Sequence, residues 1–419
     1  MVLMTIIKNN ISERGREMKK KKDVLMFFFY FVFARLVRFL LVIFDRRGPL
    51  DMAMISNYRD QVDVRKFGFW SVKGLPDVLS WVRYVWEGKY KARLFMIGSL
   101  TEDIGGDDAT PGTIKRASDQ FMKAVETATG LGAKTILYAA ATKRLPIWDE
   151  LNKKYPGVVF TLGDNFTGLL LGEGILDAFK RTGLNPKNSR ILIIGPYGLL
   201  GSVALTYALK SGAEVIGLGN PRRFGLLQKL QTKFGIGICT NFEEAGKVDM
   251  VVACNSAPRS QLTSERVELL RKTGCRLIVI DPNEPANMSP ELFRDSVGKV
   301  IRLDSGNGFS SRLVHILEPV TPWLLRLYGG ITWGCFAETF IISAHPTLRG
   351  IDWLGVFPKN IEIVRKFLGD GEGQFALPQP TCFNRPVESF ELTLASEQAP
   401  EVSPKFRDIR RAQQEVAHV

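Results

Sequence analysis

Two groups of residues in this chain have types and spacing suited to chemistry. They are a glycine-punctuated turn at residues 195–201 and a cysteine, Cys335, at the start of a helical run. The turn reads Gly195-Pro-Tyr-Gly198-Leu199-Leu-Gly201 and is followed by Ser202, a GxxGxxG spacing. It lies between a continuous apolar strand, Ser189 to Ile194, and a helix predicted over Ser202 to Ser211, with a second strand at Glu214 to Leu218. Glycines at such a turn let the backbone approach a pyrophosphate, which then rests on the amides and positive dipole end of the helix. The second strand ends in Gly219-Asn220-Pro-Arg222-Arg223. No acid stands there to hold a free 2′-hydroxyl, and two planar guanidiniums suit a 2′-phosphate, so NADPH is favoured over NADH. Asn255 and Ser256, just after a third strand at Met250 to Ala253, are expected at the mouth of the same crevice. The alternative is that both arginines merely begin a surface helix.

Cys335 follows Gly329-Gly-Ile-Thr-Trp-Gly334 and precedes a helix predicted over Phe336 to Ile342. A cysteine at a helix N-terminus gains thiolate character from the macrodipole. A thiolate beside a nicotinamide suggests covalent reduction, in which sulfur takes an acyl group from a thioester and hydride then releases an aldehyde. The competing reading is an inert packed thiol. Glu338, one turn on, reads as a helix-start carboxylate or a proton handler, and His345 as an assisting acid or a helix end. Cys239, Cys254 and Cys275 fall in or beside apolar runs and read as core, while Cys382 falls in the tail. The five cysteines lack metal spacing and only three histidines exist, so neither a structural zinc site nor a disulfide framework is expected.

The elements that must position these groups read as an α/β protein with a Rossmann-like, doubly wound parallel sheet. A second α/β substrate domain would be built from segments on either side of it. Strands are predicted at Arg93 to Leu100, Thr135 to Ala139 and Arg276 to Ile280, and helices at Thr113 to Thr129 and Leu169 to Thr182. The resulting division is a basic head with a hydrophobic helix at 1–48 and an adaptor at 49–93. A substrate segment at 94–188 follows, then the NADP-binding domain at 189–319, a second substrate segment with Cys335 at 320–377 and a polar tail at 378–419.

The formal net charge is +13. Residues 1–50 hold 11 Lys and Arg against 4 Asp and Glu, so more than half of the excess sits in the head. There Lys19 to Lys22 precede 21 mostly apolar residues, Val24 to Phe44, interrupted by Arg35 and Arg38. That is about the length of a bilayer-spanning helix, and the arginines equally suit an interfacial helix with snorkelling side chains. A membrane surface is therefore expected as a partner, with the chain on its cytoplasmic side. Nucleic acid is not, because the basic residues are not interleaved with aromatics in a recognisable motif.

Leu94 to Asp103 (LFMIGSLTED), Ile114 to Lys143, Gly195 to Ser202 (GPYGLLGS), Val248 to Arg259 (VDMVVACNSAPR), Leu277 to Pro282 (LIVIDP) and Cys335 to Thr339 (CFAET) occur in a familiar order. Over roughly residues 94–375 the chain resembles the long-chain acyl carrier-protein reductases. The resemblance implies a two-domain, NADPH-dependent enzyme that makes fatty aldehyde. Its thioester-forming cysteine would fall on Cys335 and its cofactor loop on Gly195, Gly198, Gly201 and Ser202. Substrates would be long-chain acyl thioesters of acyl carrier protein or coenzyme A, with an aldehyde-consuming enzyme downstream. Two rivals stand beside it: an NADP-dependent dehydrogenase of a small hydroxy or keto substrate, and a membrane-attached, non-catalytic nucleotide-binding protein.

Overall fold

The computed structural model describes residues 48–386, except 68, 70, 106–108, 256, 316–326 and 328, together with Val32 and Leu36. The expected head helix, Ser256 and the end of the chain from 387 thus lie wholly or mostly outside the described residues. Among the described residues no helix is long and apolar enough to cross a membrane.

Contacts divide the chain into two units, one of residues 1–83 and 91–158, the other of 84–90 and 159–419. The expected boundaries at 94, 189 and 320 coincide with neither division. In the first unit, β1 (Met52–Tyr58) pairs in parallel with both β3 (Tyr90–Leu100) and β4 (Thr135–Tyr138), and β2 (Val78–Trp86) lies beyond β3. The segment expected as an adaptor therefore supplies a central strand. Met52, Ala53, Met54 and Ile55 are fully buried, as a parallel strand covered on both faces requires. Helix α1 (Pro111–Gly130) starts on a capping box between Thr110 and Thr113, with Pro111 in its first turn. Its apolar stripe of Ala117, Phe121, Ala124, Val125 and Ala128 is buried.

The second unit begins in sequence with the hairpin Tyr84–Tyr90 and resumes at β5 (Val159–Thr161) and α2 (Asp164–Thr182). Its main sheet has six parallel strands: β6 (Arg190–Ile194), β7 (Glu214–Leu218), β8 (Gly237–Cys239), β9 (Met250–Ala253), β10 (Leu277–Asp281) and β11 (Val300–Asp304). The order is β11-β10-β9-β6-β7-β8, the doubly wound dinucleotide-binding arrangement, whose order reverses between β6 and β9. Ile191, Leu192 and Ile193 in β6 and Val251 and Val252 in β9 are fully buried. Each such side chain stabilises the fold by about 1.5–3 kcal/mol relative to exposure.

Helix α3 (Leu199–Ser211) covers this sheet and packs closely on α2, and α4 (Phe224–Phe234) follows β7. The approach depends on glycine in α2: a Cβ on Gly172 would lie 2.4 Å from the Tyr207 ring, and one on Gly168 3.0 Å from Val203. Beyond the sheet, β12 (Asn307–Phe309) pairs with β14 (Ile331–Trp333), and β13 (Leu313–His315) pairs with the end of β2 at Tyr84 to Trp86.

The expected polar tail is corrected at its start. Thr381 to Pro386 forms a two-stranded ladder, and Cys382 is buried. Its anchor is ionic: buried Arg302 lies 3.1 Å from Asp281 and 2.5 Å from Asp304, and stacks 3.9 Å from the Phe383 ring. The Phe383 and Asn384 amides donate to Asp304. Charges this deeply buried persist only when paired, and that pairing fixes the ladder to the end of β11.

Candidate active site

At the carboxyl end of β6 the chain enters the glycine turn with Gly195 at φ +80, a left-handed backbone that glycine adopts without strain. A Cβ on Gly201 would stand 2.0 Å from the Gly195 carbonyl oxygen, so the turn closes only because position 201 has no side chain. Gly198 is the N-cap of α3, and its φ of −75 is open to other residues. The helix starts at Leu199, three residues before its predicted start. The first-turn amides of Leu199, Leu200 and Gly201 therefore face out of the helix start and find no acceptor among the described residues.

Ser202 departs from its expected role. Its amide donates to the Gly198 carbonyl as the first helical bond, and its hydroxyl donates to the Leu199 carbonyl at 2.8 Å. Leu200, which was not singled out from sequence, takes its place in the cradle. The Tyr197 hydroxyl accepts the Asn220 amide at 2.8 Å, fastening the glycine turn to the end of β7. Asn220 then caps the short turn Pro221–Arg223 through its side chain. The exposed Arg222 and Arg223 have no ion-pair partner among the described residues, which leaves both guanidiniums available to a phosphate. Asn255 packs against Gly195, where a Cβ would come within 3.1 Å, but its side chain serves its own loop through Ala257 and Ser260. This cradle, with its unspent amides and closed glycine turn, fits a dinucleotide.

Cys335 is half-buried in the first turn of α5 (Gly334–Ala344), two residues longer at each end than the predicted helix. Three contacts fix that turn. The Gly334 amide donates to the Gly306 carbonyl at 2.8 Å, just past the end of β11. Gly163, at φ +70, lies so close that a Cβ would stand 2.2 Å from the Cys335 Cβ. One turn on, the fully buried Glu338 accepts the Thr161 hydroxyl at 2.6 Å and the Phe166 amide at 2.7 Å. Thr161 in turn accepts the Gly163 amide at 2.9 Å. Glu338 thus caps the start of α2 from a neighbouring helix, which is the structural one of its two expected roles. Gly163 and Thr161 escaped sequence reading, because neither has a spacing that announces a partner some 170 residues away.

Three of the other cysteines are held as thiols. Burial pushes the thiols of Cys239 and Cys382 up to about 12 and raises that of Cys254 further, so all three remain protonated. His345 is removed from the site: it caps the far end of α5, ten residues on, or about 15 Å along the axis. Its ring rests on Phe367 instead, with centroids 4.4 Å apart.

His315, missed in sequence because nothing there couples β13 to α5, reaches the start of α5 by way of Tyr84. It is buried against Tyr84, whose ring meets Phe336 edge-on. Burial lowers its pKa from 6.5 to about 4. Below pH 6.5 the unfolded chain takes up a proton that the folded chain refuses, so stability falls as pH drops from 6.5 towards 4. The loss amounts to about 3 kcal/mol. Urea unfolding between pH 7 and 4 is expected to show this decline in the wild type and a flatter one in His315→Gln. Identical slopes would refute the assignment.

Neither a protein-family model nor a curated protein matches the sequence. Among solved structures the chain is similar to L-tryptophan dehydrogenase from Nostoc punctiforme, with 13% identity, 56% of this chain and 62% of that chain covered, and a TM-score of 0.31. It is also similar to NAD-dependent malic enzyme from Thermotoga maritima, with 14% identity, coverage of 63% and 67%, and a TM-score of 0.33. For shikimate dehydrogenase from Aquifex aeolicus the values are 17% identity, coverage of 74% and 96%, and a TM-score of 0.33. The chain spans less than two thirds of the first of these. At such values the likenesses carry no argument, and the strand order of the second unit carries the Rossmann assignment by itself.

Proposed function

We propose that this protein is an NADPH-dependent oxidoreductase that reduces long-chain acyl thioesters to fatty aldehydes through an acyl group carried on Cys335. The observation that carries the reading is the bond from the Gly334 amide to the Gly306 carbonyl. It sets the Cys335 helix against the carboxyl edge of the parallel sheet, the edge where a dinucleotide binds. The bound nicotinamide would supply hydride to the acyl carbon. The protein's own groups do the rest. Leu199, Leu200 and Gly201 amides hold the pyrophosphate, Arg222 and Arg223 the 2′-phosphate, and the start of α5 favours the Cys335 thiolate that displaces the thioester sulfur.

Acyl carrier protein, with its acidic surface, suits the mildly basic catalytic region, and coenzyme A is the alternative carrier. The basic head at 1–48 would hold the enzyme on the cytoplasmic side of a membrane, where a second enzyme could consume the aldehyde. An NADP-dependent dehydrogenase of a small hydroxy or keto substrate remains the main alternative, and it gives no role to Cys335.

The test uses the full chain in mild detergent with palmitoyl thioesters of acyl carrier protein or coenzyme A, following aldehyde and NADPH oxidation. The expected result is aldehyde with NADPH preferred to NADH, an acyl adduct by intact mass when nucleotide is omitted, and loss of both products in Cys335→Ser. Undiminished aldehyde from Cys335→Ser would sink the mechanism.

A further inference from the structure

Tyr84 is fully buried, and its hydroxyl has no hydrogen-bond partner among the described residues. An unused polar group in a dry interior costs stability, so its persistence at one place asks for a reason. That place is the surroundings of Cys335. Tyr84 stands opposite His315 in the β2–β13 pairing, with ring centroids 4.9 Å apart. It meets Phe336, the residue after Cys335, edge-on at 5.8 Å. Trp333 closes on the same Phe336 at 4.9 Å. Burial first and the charge of Cys335 second raise the phenol above its ordinary value, so it remains a proton donor across the working range.

Cys335 is half-exposed whereas Tyr84 is wholly buried. An acyl group arriving on the sulfur from solvent can therefore turn its carbonyl oxygen inward while its chain leads away. We propose that the Tyr84 hydroxyl is the donor that receives this oxygen, a second arm of an oxyanion site whose first arm is the start of α5. The inference rests on the reading of Cys335 as the acyl acceptor. Sulfur attacks the thioester carbon, a carbon–sulfur bond forms, and the carbonyl pair moves onto oxygen. Tyr84 donates a hydrogen bond to that oxygen and keeps its proton. The pair then returns, the bond to the carrier sulfur breaks, and the departing thiolate takes a proton from water. This half-reaction needs no nucleotide.

The experiment follows acylation of the full chain by palmitoyl-coenzyme A without nucleotide, by intact mass over time, in wild type, Tyr84→Phe and Cys335→Ser. Tyr84→Phe is expected to acylate about 100-fold more slowly, the typical loss of one oxyanion donor. Its Tm should be no lower than that of the wild type, because the variant removes an unpartnered hydroxyl and keeps the ring. With a carbon-13 label at the acyl carbonyl, the infrared stretch of the acyl-enzyme should move to higher frequency in Tyr84→Phe. Equal rates, or a slower rate with a lowered Tm and an unmoved stretch, would overturn the role of Tyr84 and leave that of Cys335 standing. No adduct on the wild type, or an undiminished adduct on Cys335→Ser, would overturn the underlying reading.

Discussion

Gly163→Ala is expected to abolish acylation at Cys335 and to destabilise the second unit by about 2–5 kcal/mol. Two costs add. The left-handed backbone at φ +70 penalises any side chain, and the new Cβ would stand 2.2 Å from the Cys335 Cβ, 2.4 Å from its Cα and 2.9 Å from its carbonyl oxygen. None of these atoms is the free end of a flexible chain, so backbone must move, and the backbone that moves carries the proposed nucleophile. Gly183→Ala is the control. Gly183 has nearly the same φ, +67, with nothing within 4 Å of its Cβ direction, so it should lose only the conformational part, about 1–2 kcal/mol. Urea unfolding gives the stabilities, and reaction with a chromogenic disulfide reports on the Cys335 thiol. If both variants lose the same stability and keep the same thiol reactivity, the close packing at Gly163 has no functional weight.

Gly201→Ala should weaken NADPH binding about 100-fold or more, equivalent to about 2.7 kcal/mol. Its Cβ would lie 2.0 Å from the Gly195 carbonyl oxygen and 3.0 Å from the Pro196 Cα, so the turn must open and the outward amides of Leu199 and Leu200 must move. Gly198→Ala makes an informative contrast. Its Cβ meets nothing closer than 3.4 Å at an ordinary φ, so binding should weaken less than tenfold although both glycines belong to the same motif. Titration calorimetry with NADPH separates the two. Gly201→Ala should still form the Cys335 acyl adduct, because transfer to sulfur does not use the nucleotide. Equal affinity in the two variants would refute this account of the turn.

The nucleotide-binding half was legible because its signals are local. An apolar strand, a glycine turn and a helix within about 20 residues each declare themselves, and the structure reproduces the unit with its helix starting three residues early. Ser202 entered the cofactor loop through the resemblance alone, and the earlier helix start spends its amide on the first helical bond. Strand β1 was hidden by its composition. Met52 to Tyr58 mixes methionine, serine and asparagine just after a far more apolar segment, and its burial becomes apparent only through its neighbours β3 and β4. Cys335 was found from its place before a helix. The residues that shape its surroundings, Gly163, Thr161, Tyr84 and His315, arrive from strands and turns far away in sequence, and no periodicity encodes such meetings. Arg302, with Asp281 and Asp304, was missed for the same reason. Charged residues in a strand read as solvated until both acids are seen to close on the same guanidinium.

Helix α2 has a consequence for how errors of position propagate. Its start packs on Cys335 through Gly163 and on Glu338 through the Phe166 amide, and its middle turns press on α3 through Gly168 and Gly172. On the proposed reading, nucleophile and cofactor cradle would therefore take their coordinates from one stiff rod. A thermal shift of that rod carries both ends along, so their separation, on which a hydride transfer depends steeply, is insulated from motion of the rest of the unit. Shortening or kinking α2 would leave each half intact and put them out of register.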